Sequence, residues 1–271
     1  MKTSLIISTY NQPQFLRLAL LSTLEQTRLP DEIIIADDGS RQETADTVAE
    51  IKTNVPPPVK LIHVWQADAG YRLTCSLNNA AAASSGEYLI IIDGDCFVER
   101  HFIEDHIFFA EKNHFVCGTR VNIRPKRKEY ILRTGDRKIT FFSWGTSKKP
   151  HAIRSYFLAG FRKKGGMAGA NFALWRSDYE KVNGFNERLI NFSGCDYELF
   201  SRLQSSGVTA KKMAHLGIAY HFDHPLTKRV RWNDGTEQVN SLIQKIREEE
   251  TERCENGLNC ASEGRYKIIG Q

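Results

Sequence analysis

No run of about 18 apolar residues occurs in the 271-residue chain, so no membrane-crossing helix is expected. The apolar stretch behind Met1, Leu5-Ile6-Ile7, is too short for a secretory signal. The protein is therefore expected to begin and stay in the cytosol. No Cys-x-x-Cys pair occurs among Cys75, Cys96, Cys117, Cys195, Cys254 and Cys260. In a reducing compartment these read as mostly free thiols, with Cys254 and Cys260 in a loose tail open to oxidation. There is no internal repeat. The excess of positive charge is small, at a formal +5, and no stripe of clustered basic and aromatic residues accompanies it. Nucleic acid is therefore not an expected partner. A phosphate-bearing ligand or an anionic surface suits this balance better. Lys126-Arg127-Lys128, Arg162-Lys163-Lys164 and Lys228-Arg229-Val230-Arg231 read as solvated charge, or as contacts for an acceptor carrying phosphate or attached to an anionic lipid surface. No amphipathic membrane helix is evident, so any membrane contact would be peripheral and electrostatic.

What is present is an ordinary globular composition, 41% hydrophobic and 25% charged, enough for one large α/β domain or two small ones. Leu5-Ile6-Ile7 predicts a buried strand. Asn11 is placed to cap the next helix, Pro13 suits its first turn, and Leu16, Leu20 and Leu24 give that helix one apolar face. Glu32 to Ala36 predicts a second strand, 42–53 a helix, Val59 to Trp65 a third strand, and Leu73 to Ser85 an alanine-rich helix closed by Gly86. Tyr88-Leu89-Ile90-Ile91-Ile92 is the next strand. Strands alternating with helices imply right-handed βαβ units and a parallel sheet. Beyond residue 100 the pattern predicts a helix over 101–112, one strand over 115–123, an irregular segment over 124–166, a helix from Gly194 to Ser206 and a strand within Lys211 to Tyr220. A polar helix from Thr236 to about Arg253 and a loose end follow.

Three strands end in polar clusters: Ser8-Thr9-Tyr10-Asn11, Asp37-Asp38-Gly39-Ser40 and Asp93-Gly94-Asp95. In a parallel sheet all three lie along one edge, beyond the carboxyl ends of the strands, where ligands bind. Asp93 and Asp95 repel each other, and a hard divalent cation bridging to phosphate would relieve that repulsion. Gly94 between them leaves room for a ligand. An Asp-Gly pair also marks ordinary turns, and Asp38 could be a plain turn residue.

These clusters, with Gly86-Glu87-Tyr88, the stretch 169–186 (Gly-Ala-Asn-Phe-Ala-Leu-Trp-Arg-Ser-Asp-Tyr-Glu-Lys-Val-Asn-Gly-Phe-Asn) and Asp196-Tyr197-Glu198-Leu199-Phe200-Ser201-Arg202-Leu203, resemble family 2 nucleotide-sugar glycosyltransferases of the GT-A fold. The resemblance spans about residues 3–225. Tyr220-His221-Phe222-Asp223-His224-Pro225 is similar to a subset with a galactosyltransferase-like C-terminal part. The resemblance implies a Rossmann-like α/β fold with a mixed, mostly parallel sheet flanked by helices and a C-terminal helical tail. It divides the chain into a nucleotide-sugar-binding half (1–120), an acceptor-binding and catalytic half of the same domain (121–232) and the tail (233–271). It implies transfer of a hexose or N-acetylhexosamine from a nucleotide diphosphate sugar, UDP-linked in this reading, to a glycan or lipid-linked acceptor in bacterial surface polysaccharide synthesis.

The resemblance also assigns roles. Thr9, Tyr10 and Asn11 would line the nucleotide pocket, and Asp38 would accept a hydrogen bond from the base. Arg72, in Gly70-Tyr71-Arg72-Leu73, would sit near the diphosphate. Asn79 would reach the nucleotide, Asp93 and Gly94 the ribose or sugar, and Asn171 the floor of the donor-sugar and acceptor site. Asp95 and His221 would hold Mn²⁺ or Mg²⁺. Asp196 would be the base for a single inverting displacement, although an acid in the first turn of a helix is stabilised as the anion and so is a weak base. Cys195 stands where this branch usually has Glu. Glu198 is expected to support Arg202, and Trp175 to be core. Two other readings stay open: a sugar nucleotidyltransferase, which would need a glycine-rich basic N-terminal loop in place of Ser8-Thr9-Tyr10-Asn11, and a catalytically inactive nucleotide-sugar-binding protein.

Overall fold

The computed structural model describes residues 1–140, 142–147, 152–159, 169–189, 194–223, 241, 244–246, 248–249, 251–262 and 264–270. Four strands run parallel: β1 (Thr3–Thr9), β2 (Glu32–Asp37), β3 (Lys60–Trp65) and β4 (Tyr88–Asp93). Between them lie α1 (Pro13–Leu24), α2 (Gln42–Lys52) and α3 (Leu73–Ala83). The strands are apolar without alternation because both faces of the sheet are covered. Leu5, Ile7, Ile33, Ile35 and Ile90 pack on one face with Leu16 and Leu20 of α1 and Val48 of α2. Ile6, Ile34, Leu89 and Ile91 pack on the other with Leu77 and Ala80 of α3.

Further along come β5 (Cys96–Val98), α4 (Phe102–Phe108), β6 (His114–Cys117), β7 (Thr119–Ile123), α5 (Pro125–Thr134), α6 (Tyr156–Ala159), β8 (Asn171–Trp175), α7 (Arg176–Lys181), α8 (Cys195–Ser205), β9 (Thr209–Lys212), β10 (Ile218–Phe222) and β11 (Lys267–Ile269). One sheet has eight strands in the order β11-β3-β2-β1-β4-β8-β6-β9, with β8 antiparallel to β4 and to β6, and β11 antiparallel to β3. The other has three, β5-β10-β7, and stacks Phe97 on Tyr220 and Phe222 on Phe15 of α1.

The second sheet departs from the expectation of one strand over 115–123. The chain breaks at Gly118, leaving β6 in the large sheet and β7 in the small one. A Cβ at Gly118 would lie 2.4 Å from both Asn171 Nδ2 and Gly217 O, so only glycine lets the chain cross there. The helix expected over 101–112 stops at Phe108, and the chain turns through Asn113 (φ 58°) into β6. The segment 124–166, expected to be irregular, contains α5, with Pro125 in its first turn and Gly135 (φ 73°) closing it. Of the expected tail helix, 236–240, 242, 243, 247 and 250 lie outside the described residues; 241, 244–246, 248 and 249 are helical.

The loose end is instead anchored. Arg253 donates to the Glu180 and Lys181 carbonyls, Asn183 Nδ2 to Cys254 O at 2.9 Å, and Arg265 pairs with Glu187. β11 then covers the edge of β3. Cys254 is buried against Val182 and Asn183, so it is not the exposed thiol expected, while Cys260 is partly exposed.

Candidate functional site

The register brings the three polar clusters to one edge. Thr9 lies level with Asp37, and Ser8 with Asp93. Asn11 does not cap α1, whose N-cap is Gln12 without a side-chain bond. Asn11 takes a left-handed conformation (φ 51°), accepts from the Arg41 amide at 2.9 Å and donates its own amide to Ser40 Oγ at 2.8 Å. It thus ties the loop after β1 to the loop after β2. The Tyr10 hydroxyl donates to Asp68 at 3.0 Å. The buried Thr9 hydroxyl has no hydrogen-bond partner among the described residues.

The two aspartates after β2 do different things. Asp37 is bound by His63 Nε2 at 2.7 Å and by the Ser40 amide at 2.7 Å, a buried structural pair. Asp38 accepts from the Arg72 amide (2.7 Å) and Gln66 Nε2 (2.6 Å), yet burial still pushes its carboxyl up to about 6. Asn79 is fully buried in α3 and donates to Gln66 Oε1 at 2.8 Å. Its side chain therefore stands behind the edge and acts on Asp38 through Gln66. Arg72 sits at the N-cap of α3 with its guanidinium on the Ala67 carbonyl.

Asp93 ends a strand of the large sheet, and Asp95 precedes the first strand of the small one. Gly94 is required by crowding: a Cβ there would lie 2.0 Å from Ser8 O. The tight passage over β1, more than space for a ligand, selects glycine. Ligand atoms of Asp93, Asp95 and His221 fall within 4.8 Å of one another, and Asp95 Oδ2 is 3.2 Å from His221 Nε2. His221 comes from β10, opposite Cys96 of β5, so two sheets supply the cluster. Burial, then the Asp95 charge, raises the Asp93 carboxyl above its ordinary range, while His221 and Arg120 oppose that rise. Two carboxylates and an imidazole suit a divalent cation such as Mn²⁺.

Asp196 is the second residue of α8, behind Gly194 (φ 95°). Burial raises its carboxyl, outweighing the amides of Tyr197, Asp196 itself and Gly169 that favour the anion. The first-turn argument for a weak base is thus overturned: desolvation exceeds the helix-end effect. Gly169 presses on this side chain, since a Cβ there would lie 1.9 Å from Asp196 Oδ2. Cys195 is buried with its thiol far above its usual value, so it presents no anion to an acceptor. Glu198 and Arg202 form a buried two-point pair at 2.7 Å each, and Arg202 also holds the Val182 carbonyl. Trp175 is core, edge-on to Tyr88.

Asn171 is fully buried. Its Oδ1 meets His106 Nε2 at 2.9 Å and its Nδ2 donates to Gly217 O at 2.6 Å. Its side chain joins the two sheets beneath the site and does not face the edge. His106 is held neutral by burial, which lowers its pKa to about 4. Three residues were not read from the sequence as part of the site: Gln66, Tyr71 and Arg120. Tyr71 feels the charges of Asp93, Asp38 and Asp196, and burial raises its hydroxyl. Arg120 of β7 lies 3.0 Å from His221 Nδ1. Gln66 follows β3 directly, and that adjacency was its one sequence signal. His224 and the basic segments 162–164 and 228–231 lie outside the described residues. Arg127, read from the sequence as solvated charge or as a contact for an anionic acceptor, is buried against the rings of Tyr130 and Trp144.

Residues 4–170 match the family model described as glycosyl transferase family 2, and residues 157–225 that of the N-terminal domain of galactosyltransferase. Chondroitin synthase of Escherichia coli is 22% identical over 249 residues, covering 82% of this chain and 35% of that protein. The chain spans 31% to 48% of the length of the first curated relatives it matches. The fold is that of S. aureus TarS 1-349 in complex with UDP-GlcNAc (TM-score 0.58, 15% identity, 83% of this chain and 59% of that one). It is equally that of the mannosyltransferase PcManGT from Pyrobaculum calidifontis in complex with GDP-Man and Mn²⁺ (TM-score 0.56, 19% identity, 84% and 58%). These neighbours have the GT-A fold, as the sequence motifs implied.

Proposed function

The chain belongs to glycosyl transferase family 2, and from that premise we propose that it moves a hexose or N-acetylhexosamine from a UDP-linked donor to a hydroxyl of a glycan or lipid-linked acceptor. The observation that carries the proposal is the convergence of Asp93, Asp95 and His221 within 4.8 Å, on the edge that also carries Asp38. Asp38 would accept the base N–H, with the Asn79–Gln66 chain fixing its carboxylate. Thr9, Tyr10, Asn11 and Arg72 would line the nucleotide pocket. Asp95 and His221 would hold Mn²⁺ or Mg²⁺, with Asp93 on the ribose or sugar and free to share the ion. Held there, the ion would supply neutralisation of charge on the departing diphosphate.

Asp196 would take the proton from the acceptor hydroxyl. That oxygen bonds to the anomeric carbon as the bond from carbon to the diphosphate oxygen breaks, and the nucleoside diphosphate leaves with the electron pair. One displacement with one base inverts the anomeric centre. The raised Asp196 carboxyl makes it a stronger base than its helix position alone would. The chondroitin synthase relative supports a polysaccharide setting, and the bound UDP-GlcNAc of one structural neighbour supports a uridine donor. Among the described residues no helix is long and apolar enough to cross a membrane. We place the reaction in the cytoplasm, with at most peripheral contact at the inner face of the membrane through a lipid-linked acceptor.

The test is calorimetric titration with uridine, guanosine, thymidine and cytidine diphosphates, with Mn²⁺ and then with excess chelator. UDP should bind, and chelator should abolish the binding. Asp95→Ala should lose it, whereas Asp196→Asn should bind and fail to turn over. Folded protein that binds none of the four would sink the proposal.

A further inference from the structure

Residues 121–149 hold nine Lys and Arg against Glu129 and Asp136, a surplus larger than the +5 of the whole chain. The fold brings part of that surplus onto one surface. In α5, Arg127 and Ile131 are buried. Lys126, Glu129, Tyr130 and Arg133 therefore share the outer face, at the spacing that aligns side chains on a helix. Arg124 stands at the N-cap. The chain then folds back over the helix. Arg127 donates to the Lys138 carbonyl at 3.1 Å, and the Arg124 amide donates to the Gly145 carbonyl at 2.8 Å. Trp144 comes edge-on to Tyr130 with ring centroids 6.0 Å apart, and the Arg127 guanidinium lies 4.7 and 5.3 Å from those two ring centres. Buried Arg127 thus ties Lys138 and Trp144 to α5. The exposed side chains of Arg124, Lys126, Arg133 and Lys138 have no ion pair or hydrogen bond among the described residues. Phe142 is 87% exposed and Trp144 50%. Cations and rings that look scattered in the sequence form one patch.

We propose that this patch docks the protein on an anionic lipid surface, with the four cations among the headgroup phosphates and Phe142 and Trp144 in the interface. Each cation near such a surface strengthens binding by about fivefold. Charge alone would suit any polyanion, and the rings decide between partners. Aromatic side chains concentrate at the boundary of water and acyl chains. A dissolved polyanion would take the cations and leave both rings in water. The patch also borders the candidate site: Arg124 follows β7, in which Asn122 lies level with His221. Docking would hold that edge beside a lipid-linked acceptor. This purpose rests on the function proposed above; the docking itself does not.

The experiment is flotation of the full chain with phosphatidylcholine vesicles, with and without phosphatidylglycerol, together with tryptophan quenching by brominated lipid. Wild type should bind the anionic vesicles only, and less as salt is raised. Lys126→Gln with Arg133→Gln should weaken binding about 25-fold, and Phe142→Ser about fivefold or more. Bromolipid quenching should disappear in Trp144→Phe. Far-UV circular dichroism shows that each variant is folded. No binding to anionic vesicles, equal binding to neutral ones, or full binding by the double variant overturns the proposal. Binding to dextran sulfate with no bromolipid quenching also overturns it, and assigns the patch to a dissolved polyanion. UDP binding with Mn²⁺, read on the same samples, should be the same in every variant. Its absence from all samples, with vesicle binding intact, sinks the donor reading and leaves the docking standing.

Discussion

Replacing Gly169 with alanine tests whether Asp196 is held in place by a backbone that tolerates no side chain. The added Cβ would lie 1.9 Å from Oδ2, 2.2 Å from Cγ and 2.3 Å from Cβ of Asp196. An ordinary contact needs roughly 3.3 Å or more, so the carboxyl must retreat by about 1.4 Å. The obstruction extends to Asp196 Cβ, so a rotamer change alone does not relieve it and the start of α8 must shift. A misplacement of about 1 Å at a reacting group costs on the order of 100-fold in rate, or about 2.7 kcal/mol of transition-state stabilisation. Gly169→Ala should therefore lower kcat by about 100-fold while UDP binding, centred on Asp38, changes by less than about threefold. Steady-state kinetics and calorimetry on the same preparation read the two quantities. The double variant with Asp196→Asn should be no slower than Asp196→Asn alone, because both changes remove one function. A Gly169→Ala protein with wild-type kcat would refute the reasoning, and multiplicative losses in the double variant would refute its route through Asp196.

Two further predictions concern stability. Burial holds the Asp38 carboxyl at about 6 in the folded chain, above its unfolded value. The group thus favours folding at acid pH, and that contribution is lost as pH rises through about 6. Asp38→Asn removes the titration, so variant-minus-wild-type stability should rise between about pH 4 and about pH 7.5, by up to about 3 kcal/mol; a flat difference in denaturation midpoints would contradict this. Arg265→Ala leaves the buried Glu187 with Asn78 but without its cation, and should destabilise by about 2 kcal/mol in urea with the m-value unchanged. No loss would show that the tail contact is idle.

The parallel half of the fold was legible because strands covered on both faces become runs such as Ile33-Ile34-Ile35, and each run ends abruptly in polar residues. The acids at that edge were legible for the same reason. The break at Gly118 was not, because Phe115 to Ile123 reads as one strand until Asn171 and Gly217 are seen pressing on the glycine. Arg120 was hidden by that error: mid-strand in a single sheet it looks like a solvent-facing charge, whereas in a second sheet it meets His221. Asn79 and Asn171 sit in the expected segments, but their amides join buried elements to one another. The basicity of Asp196 was misjudged from a local rule, since its burial comes from the rest of the fold. β11 is only three residues long, with no pattern that would reveal its partner.

The pairing of β11 with β3 has a consequence for how the chain is made. Trp65 and Lys267 meet across about two hundred positions of sequence. During synthesis β3 emerges long before its neighbour and presents an open row of amide and carbonyl groups. That row is a template for strands of other nascent chains until β11 arrives. Crowded ribosomes, high expression or truncation before residue 267 should thus favour intermolecular pairing at β3, and the exposed edge makes this an aggregation hazard of the incomplete chain.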